Sequence, residues 1–208
     1  MRVSELSERS GVPVHTIKYY VREGLLPPGT RVAGRLSEYD DEHLRRLRLL
    51  RALREVGGVP VARLLDVVAV VDSSATVHTK MGAAADALAA DPGESDEESR
   101  RLADETIARA GWDRVRPEAR ERLNLAALFH TAARHGTRLD AGAVDGYARV
   151  ADGVARREIE ALARAGDDTT VLERMVIGTV VYGELLMLLR RLAEEHHSHH
   201  RFRPPEGG

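Results

Sequence analysis

Helix-breaking residues recur at short intervals through the first 28 residues, and they limit what this stretch can fold into. Gly11 and Pro13 interrupt the first apolar segment, and Gly24, Pro27 and Pro28 end the second. Proline lacks the backbone donor that a helix interior needs, and glycine readily adopts the left-handed conformation that ends a helix. Any helices here are therefore only two or three turns long, and a tight turn joins them.

The two segments have the apolar spacing of short amphipathic helices. The first helix is predicted over about 4–10 with Ser4 as its N-cap, and the second over about 13–23. The second helix would turn Ile17 inward, and its predicted outer face consists of His15, Thr16, Lys18, Tyr19 and Arg22. Two short helices joined by a tight glycine turn form a helix-turn-helix, whose second helix can enter the major groove of DNA.

The pattern of residues 27–72 predicts a small hairpin followed by two longer helices. Residues 27–34 contain two prolines and two glycines, which exclude a helix, so a short hairpin (the wing) is predicted over 31–39. Asp40 is the predicted N-cap of a helix over about 41–56, and another helix is predicted over about 60–72.

Charge is distributed unevenly along the chain. Residues 1–54 contain 11 Lys and Arg against 7 Asp and Glu, whereas the remaining residues contain 20 against 26. A basic N-terminal part is suited to phosphate groups. Cysteine is absent, which excludes disulfides and cysteine-ligated metals. The most apolar stretch, 175–189, is too short for a membrane span, so we expect a cytoplasmic protein with no membrane partner.

Several motifs in the first third of the chain occur together with a consistent spacing. They are V-S-E-L at 3–6, G-V at 11–12, T-I-K-Y-Y at 16–20, G-L-L-P-P at 24–28, Y-D-D-E-H-L-R-R-L at 39–47 and R-E-V-G at 54–57. On these motifs, residues 1–72 resemble the DNA-binding head of MerR-family transcription regulators. The chain departs from the family pattern at His15 and Lys18, where members usually carry arginine, and at Ser37, where the nearest arginine is Arg35.

The resemblance implies a dimeric, sequence-specific regulator that binds an inverted-repeat promoter. Such a regulator would bend and untwist a long promoter spacer so that RNA polymerase can use it. The DNA contacts implied are His15, Thr16, Lys18, Tyr19, Tyr20, Arg22, Arg31, Arg35, Tyr39 and Arg54. Some of these residues also have a simpler explanation: Tyr20 could close the small core, His15 and Thr16 could lie on a solvated face, and Arg54 could form a surface salt bridge.

Residues 73–92 are predicted to form the dimerisation helix and a linker. Val70, Val77 and Ala84 are seven residues apart, as are Ser74, Met81 and Leu88, which is a weak heptad pattern. In the family that the head resembles, a helix here pairs antiparallel with its twin. An ordinary amphipathic helix would show the same pattern.

The remainder, 93–208, predicts a helical bundle with no strand pattern. The predicted helices run from the Ser95–Glu98 capping box to Gly111, from Pro117 to Gly136, over about 141–165 with Tyr147 and Val150 inward, and over about 171–195 after the Thr170–Glu173 capping box. The last is apolar on most faces and is therefore expected to be central. The predicted fold is mainly all-α: a winged helix-turn-helix head, a dimerisation helix and a C-terminal helical bundle.

The C-terminal bundle leaves two functions open. Trp112, Phe129, Tyr147 and Tyr182 could converge on a pocket for a small-molecule effector, or they could simply be the large residues of its core. No catalytic constellation is evident, so we expect no enzyme and no cofactor. The histidines at 196–200 lie in a polar tail, and we expect no metal site there. The alternatives to an effector-controlled regulator are a ligand-sequestering or protein-interaction module, and a constitutive regulator.

Overall fold

The computed structural model describes residues 1–33, 36–137 and 139–202, without the side chains of Ala33 and His200. The chain forms two compact units. Unit 1 contains Met1–Val68 together with the segment from Glu173 onwards, and unit 2 contains Ala69–Leu172. In the described residues the chain is helical apart from one hairpin and the connecting loops, which confirms the predicted, mainly α fold with a winged head.

The elements follow in the order α1, α2, β1, β2 and then α3 to α9. The helices are α1 (Val3–Ser10), α2 (Val14–Arg22), α3 (Asp41–Glu55), α4 (Val61–Asp72), α5 (Val77–Leu88), α6 (Glu97–Arg109), α7 (Arg120–Arg134), α8 (Ala141–Leu162) and α9 (Asp168–Phe202). The strands are β1 (Thr30–Ala33) and β2 (Leu36–Glu38), which pair antiparallel with Arg31 opposite Ser37.

The turn between α1 and α2 depends on glycine. Gly11 has a φ of 69° and ends α1 by donating its N–H to the Ser7 carbonyl over 2.9 Å. A Cβ at this position would collide with the guanidinium of Arg51, which donates to the Ser10 carbonyl over 3.2 Å. The predicted Ser4 cap is wrong: α1 begins one residue earlier, with Arg2 at the N-cap and no capping side chain.

The core of the head lies between the short helices and α3. Leu6 of α1, Ile17 of α2 and Leu47 of α3 are each completely buried. The N-terminus ties this core to the wing, because the Met1 ammonium donates to the Tyr39 carbonyl over 2.6 Å and the Tyr39 N–H donates back to Met1 over 2.8 Å. The head is therefore one compact body whose second helix is held firmly along its inner face.

The N-cap of α3 is the one predicted. The Asp40 carboxylate accepts hydrogen bonds from the backbone N–H groups of Glu42 and His43 over 3.0 and 3.1 Å. The His43 ring approaches the same carboxylate to 2.6 Å. Hydrogen bonds from His43 hold the pKa of Asp40 below its usual value. Asp40 therefore satisfies the free donors at this helix start.

Unit 2 is centred on α6 and α7. Ala103, Ala126 and Phe129 form its buried cluster. Ser95 is not the cap of α6, as the sequence had suggested: the cap is Asp96, which accepts from the Ser99 N–H over 2.8 Å. Hydrogen bonds from Ser99 and then from His130 lower the pKa of Asp96 to about 2. Asp96 stands three residues before the Ser99 donor, as an N-cap must, whereas Ser95 lies one residue too early.

The segment predicted to dimerise packs within its own chain. Ala84 is completely buried in a single copy. Asp86 of α5 lies 2.6 Å from an Arg116 nitrogen and accepts from the Arg120 N–H over 3.1 Å. Burial raises the pKa of Asp86, but these hydrogen bonds outweigh it and leave the pKa below its usual value. Pairing through 73–92 stays a prediction, with part of its heptad pattern already covered.

Two predictions about the later helices are wrong. Tyr147 and Val150 of α8 are 61% and 57% exposed rather than inward. The helix α9 starts at Asp168, where Asp167 accepts from the Thr170 N–H over 3.0 Å, and it continues to Phe202. Its described side chains from 182 to 202 are exposed, so it is not central to a bundle. Periodicity identifies an apolar face but does not say that the same chain covers it.

Candidate nucleic-acid interface

The second helix of the head separates a buried face from a basic exposed face. Ile17 is completely buried and Tyr20 is 6% exposed. His15, Lys18 and Arg22 are exposed. This division follows from the 3.6-residue period, which returns positions 15, 18 and 22 to the same side. The outer face of α2 therefore carries two cations and a histidine, as the sequence predicted.

Tyr19 and Arg22 form a pair on this outer face. The Arg22 guanidinium carbon lies 5.1 Å from the centre of the half-buried Tyr19 ring, within the range of a cation–π contact. Arg22 also donates to the Glu23 carboxylate over 3.0 Å. These contacts hold the tyrosine ring and the arginine side by side at the end of α2, where both remain partly open to solvent.

Tyr20 has a different environment from its neighbour. Its burial raises the pKa of the phenol, although the charge of nearby Arg54 acts in the opposite direction. Its carbonyl accepts from the N–H groups of Leu25 and Leu26 over 2.9 and 3.2 Å. The structure thus gives Tyr20 a core position, which favours the simpler of the two explanations. A DNA contact through its side chain stays a prediction.

The remaining predicted DNA contacts come from the predicted wing, from α3 and, for Thr16, from α2. Arg31 is exposed on β1, and the half-buried Tyr39 ring meets the His43 ring edge-on at 5.1 Å. Arg35 lies outside the described residues. Thr16 is half-buried. Arg54 donates to the Val59 carbonyl over 3.0 Å, so it braces the turn between α3 and α4 rather than forming the predicted alternative, a surface salt bridge.

Sequence reasoning missed the side chains that fix α1 against α3. Arg51 joins the Ser10 carbonyl and the Glu55 carboxylate, which is 2.9 Å away. Arg9 lies 3.2 Å from the Asp41 carboxylate at the start of α3. The i,i+4 spacing of Arg51 and Glu55 is visible in the sequence. The contacts between helices that are 30 or more residues apart are not.

The four aromatics proposed for an effector pocket do not form one group. Trp112 donates its indole N–H to Asp152 over 3.1 Å and lines a cavity of about 550 Å³ beside α8. Phe129 lines another cavity of unit 2, with a volume of about 640 Å³. Tyr147 points largely to solvent, and Tyr182 belongs to unit 1, where it is 50% exposed.

The cavity at Phe129 combines an apolar wall with an acidic rim. Leu102, Phe129 and Val144 contribute the apolar part. Asp96, Glu98 and Glu105 line the same space, as does Arg109, whose guanidinium lies 3.0 Å from the Asp145 carboxylate. Such a combination suits an organic cation, whose charge meets the carboxylates while its apolar part enters the cavity.

Metal binding and membrane insertion find no support in the described residues. Within residues 1–33, 36–137 and 139–202, no group of three or more His, Cys, Asp or Glu side chains is placed to hold a metal ion. The described histidines of the 196–200 run lie on the last turns of α9. In the same part of the chain, no helix combines the length and apolar character needed to cross a bilayer.

Comparison with known proteins identifies relatives of the head. Residues 1–69 match the family described as MerR HTH family regulatory protein. A ZntR homolog of Haemophilus influenzae, described as an HTH-type transcriptional regulator, is 40% identical over 50 residues, 24% of this chain and 37% of that protein. The nodulation protein NolA of Bradyrhizobium elkanii is 43% identical over 56 residues, 27% of this chain and 26% of that protein. The chain thus spans well under half the length of these relatives.

One solved structure resembles the whole chain. It is the putative transcriptional regulator SCO5550 from Streptomyces coelicolor A3(2), which is 34% identical, with a TM-score of 0.78 and coverage of 100% of both chains. The similarity therefore extends through the C-terminal helices, whereas the matches to the other two relatives cover 50 and 56 residues. Given this full-length likeness and the match of its first 69 residues, the chain belongs to the MerR family of helix-turn-helix transcriptional regulators.

Proposed function

We propose that this protein is a sequence-specific, DNA-binding transcriptional regulator that inserts α2 into the major groove. The observation that supports the proposal most directly is the exposed face of α2, where Lys18 and Arg22 flank Tyr19 while Ile17 anchors the opposite side. An exposed basic helix held rigidly on a small core is what groove binding requires.

The proposed contacts divide by chemistry. Lys18 and Arg22 neutralise phosphates and Tyr19 donates its hydroxyl to one, which positions the head without reading sequence. His15 and Thr16, near the start of α2, reach base edges. Lysine at 18 binds phosphate as a point charge and lacks the two-pronged geometry of arginine. On the wing, Arg31, Arg35 and Tyr39 add contacts to the backbone.

The regulator is proposed to act as a dimer on an inverted repeat. Two heads related by a two-fold axis would each occupy one half-site, so the symmetry of the DNA mirrors that of the protein. Bending and untwisting of a long promoter spacer, for use by RNA polymerase, is proposed on the strength of the family resemblance.

Selection of bound fragments from the organism's own genomic DNA tests this function. Purified full-length protein is expected to enrich an inverted repeat placed between promoter elements with a long spacer. Footprinting on the enriched site should then show two protected half-sites. Failure to enrich any sequence, with the protein folded by circular dichroism, would contradict the proposal and favour a ligand-sequestering or protein-interaction module.

A small-molecule effector is proposed to bind the cavity at Phe129. The support is the pairing of a cavity of about 640 Å³ with the carboxylates of Glu98 and Glu105. Occupancy would brace α6, α7 and the start of α8, which all line the space. An effector changes DNA binding only if it binds one conformation of the dimer better than another. A constitutive regulator would lack that coupling.

An aromatic cation and an aromatic anion of similar size test the effector proposal. Benzyltrimethylammonium is expected to raise the thermal unfolding midpoint of the protein, and benzoate is not, because the carboxylates attract only the cation. Replacing Glu98 and Glu105 with glutamine should remove the stabilisation. Equal stabilisation by both compounds, or by neither, would contradict a cation site and leave the constitutive regulator.

A further inference from the structure

The second half of α9 exposes a large amount of apolar surface. All described side chains from Tyr182 to Phe202 are exposed, although the sequence there contains a run of leucines. The exposed fractions are 50% for Tyr182, 47% for Leu185, 47% for Leu188, 54% for Leu189 and 62% for Leu192. Isolated exposed leucines are common on protein surfaces, but a contiguous row of this length marks an interaction site.

These side chains share one face of the helix. At about 100° per residue, Val181, Tyr182, Leu185, Leu188, Leu189 and Leu192 lie within one stripe, which we call the leucine stripe. Val176 and Val180 lie on the opposite side of α9, where Val176 is completely buried and Val180 approaches Gly57 of the head. The helix is thus attached to unit 1 by one face and presents the leucine stripe on the other.

We propose that the leucine stripe binds the leucine stripe of a second copy of this chain, with the two α9 helices antiparallel. The inference deepens the proposed function and rests on it, since it names the surface that makes the regulator a dimer. The exposed half-helix is about 30 Å long. Burying the stripe covers on the order of 400 Å² per copy, so its flanks must add roughly 200 Å² per copy for the pair to reach the about 1,200 Å² of a specific interface.

The charges beside the stripe support a second copy in the antiparallel orientation. Glu184 and Arg191 are seven residues apart and lie on the same flank of the stripe. In an antiparallel pair related by a two-fold axis, the same flank of each helix comes together. If the helices cross between Met187 and Leu188, Glu184 of each copy lies opposite Arg191 of the other.

The same crossing point also aligns the apolar residues. Residues whose numbers add to 375 then face each other, so Tyr182 lies within one residue of the position opposite Leu192, and Leu185 within one residue of the position opposite Leu189. Charge pairing and apolar packing are therefore compatible with the same register to within one residue. By contrast, the heptad pattern of α5 includes Ala84, which is already buried within a single chain. This leaves the leucine stripe as the surface better suited to a twin.

Light scattering on the full-length protein tests the surface. The parent chain is expected at twice the 22.9 kDa of one copy. Replacing both Leu185 and Leu189 with glutamate should raise the dimer dissociation constant at least about 100-fold, because four carboxylates would enter an apolar contact. The control is Met187→Glu, which adds a charge on the other side of α9 and should leave the dimer intact. A dimeric Leu185→Glu, Leu189→Glu variant would overturn the proposal and assign pairing to 73–92.

Charge reversal tests the orientation. Glu184→Arg and Arg191→Glu are each expected to weaken the dimer about 10-fold, because each places like charges opposite one another at two symmetric positions. The two changes together should restore the parent affinity, which an effect within one helix would not do, since residues seven apart do not touch. Failure of the double variant to recover would exclude the antiparallel register.

The outcomes separate this inference from the proposed function. A dimer that responds to the stripe variants but enriches no genomic DNA would retain the interface and refute the DNA-binding role. A monomeric parent protein that still protects a DNA site would retain the DNA-binding role and refute the interface. A monomer whose leucine stripe is shielded from limited proteolysis would show that the same chain covers it, which also overturns the proposal.

Discussion

A protein in which Lys18 is replaced by alanine is expected to bind its DNA site about 30-fold more weakly at about 0.15 M salt. The side chain is exposed on the outer face of α2, and each copy of a dimer would lose one phosphate contact. Because each contact releases about one counterion, the slope of log affinity against log salt should fall by about two. Fluorescence anisotropy over a series of salt concentrations measures both quantities.

Arg45→Ala is the matched control for this prediction. Arg45 belongs to the same unit and is exposed, but its guanidinium lies 3.9 Å from the Glu173 carboxylate on the side of the head that meets α9. Removing it should change DNA affinity by no more than about threefold, with an unchanged salt slope. Equal losses for the two variants would show that total charge matters and that the face of α2 does not.

The architecture of the head could be predicted because its signals are local. Gly11, Gly24 and the prolines at 27 and 28 limit the helices, and Asp40 caps α3 as its position suggested. The inward and outward sides of α2 follow from a single helical period. These features depend on residues within a few positions of one another, so the sequence contains them in full.

Burial in the C-terminal part was harder to predict from the sequence, because it depends on which helix surfaces pack against one another. Tyr147 and Val150 have the spacing of a buried face, yet they are exposed. The α9 helix looked central for the same reason. An apolar stripe indicates a packing contact but does not identify its partner, which can belong to another chain. The separation of Trp112 from Phe129 likewise depends on tertiary contacts that no spacing specifies.

The two adjacent tyrosines of α2 combine a local sequence signal with a difference in packing. The adjacent tyrosines have the same residue type but different charged neighbours, Arg22 beside Tyr19 and Arg54 near Tyr20. Their different roles follow from geometry: Tyr20 points into the core, and Tyr19 stacks beside Arg22 on the outside. The helical period places Tyr20 on the same side as Ile17, so the sequence already favoured Tyr20 as the core tyrosine, and in the structure it is 6% exposed.

Replacing Ile17 with alanine is expected to lower the free energy of unfolding of the head by about 2–5 kcal/mol. The side chain is completely buried, so its removal loses apolar burial and leaves a cavity between α2 and the rest of the core. DNA binding should fall with the folded fraction, since α2 itself carries the contacts. The control is Val32→Ala on the wing, where a side chain that is 56% exposed should cost less than about 0.5 kcal/mol.

The chain provides a way to assign this loss to the correct unit. Its only tryptophan, Trp112, belongs to unit 2, so indole fluorescence reports that unit, whereas far-ultraviolet circular dichroism reports helices of both. In urea, Ile17→Ala should shift the part of the dichroism transition that fluorescence does not follow. Coincident shifts in both signals would mean that the units unfold as one. A dichroism midpoint equal to that of Val32→Ala would contradict a core position for Ile17 and, with it, the rigid mounting of α2 on which the proposed DNA contacts depend.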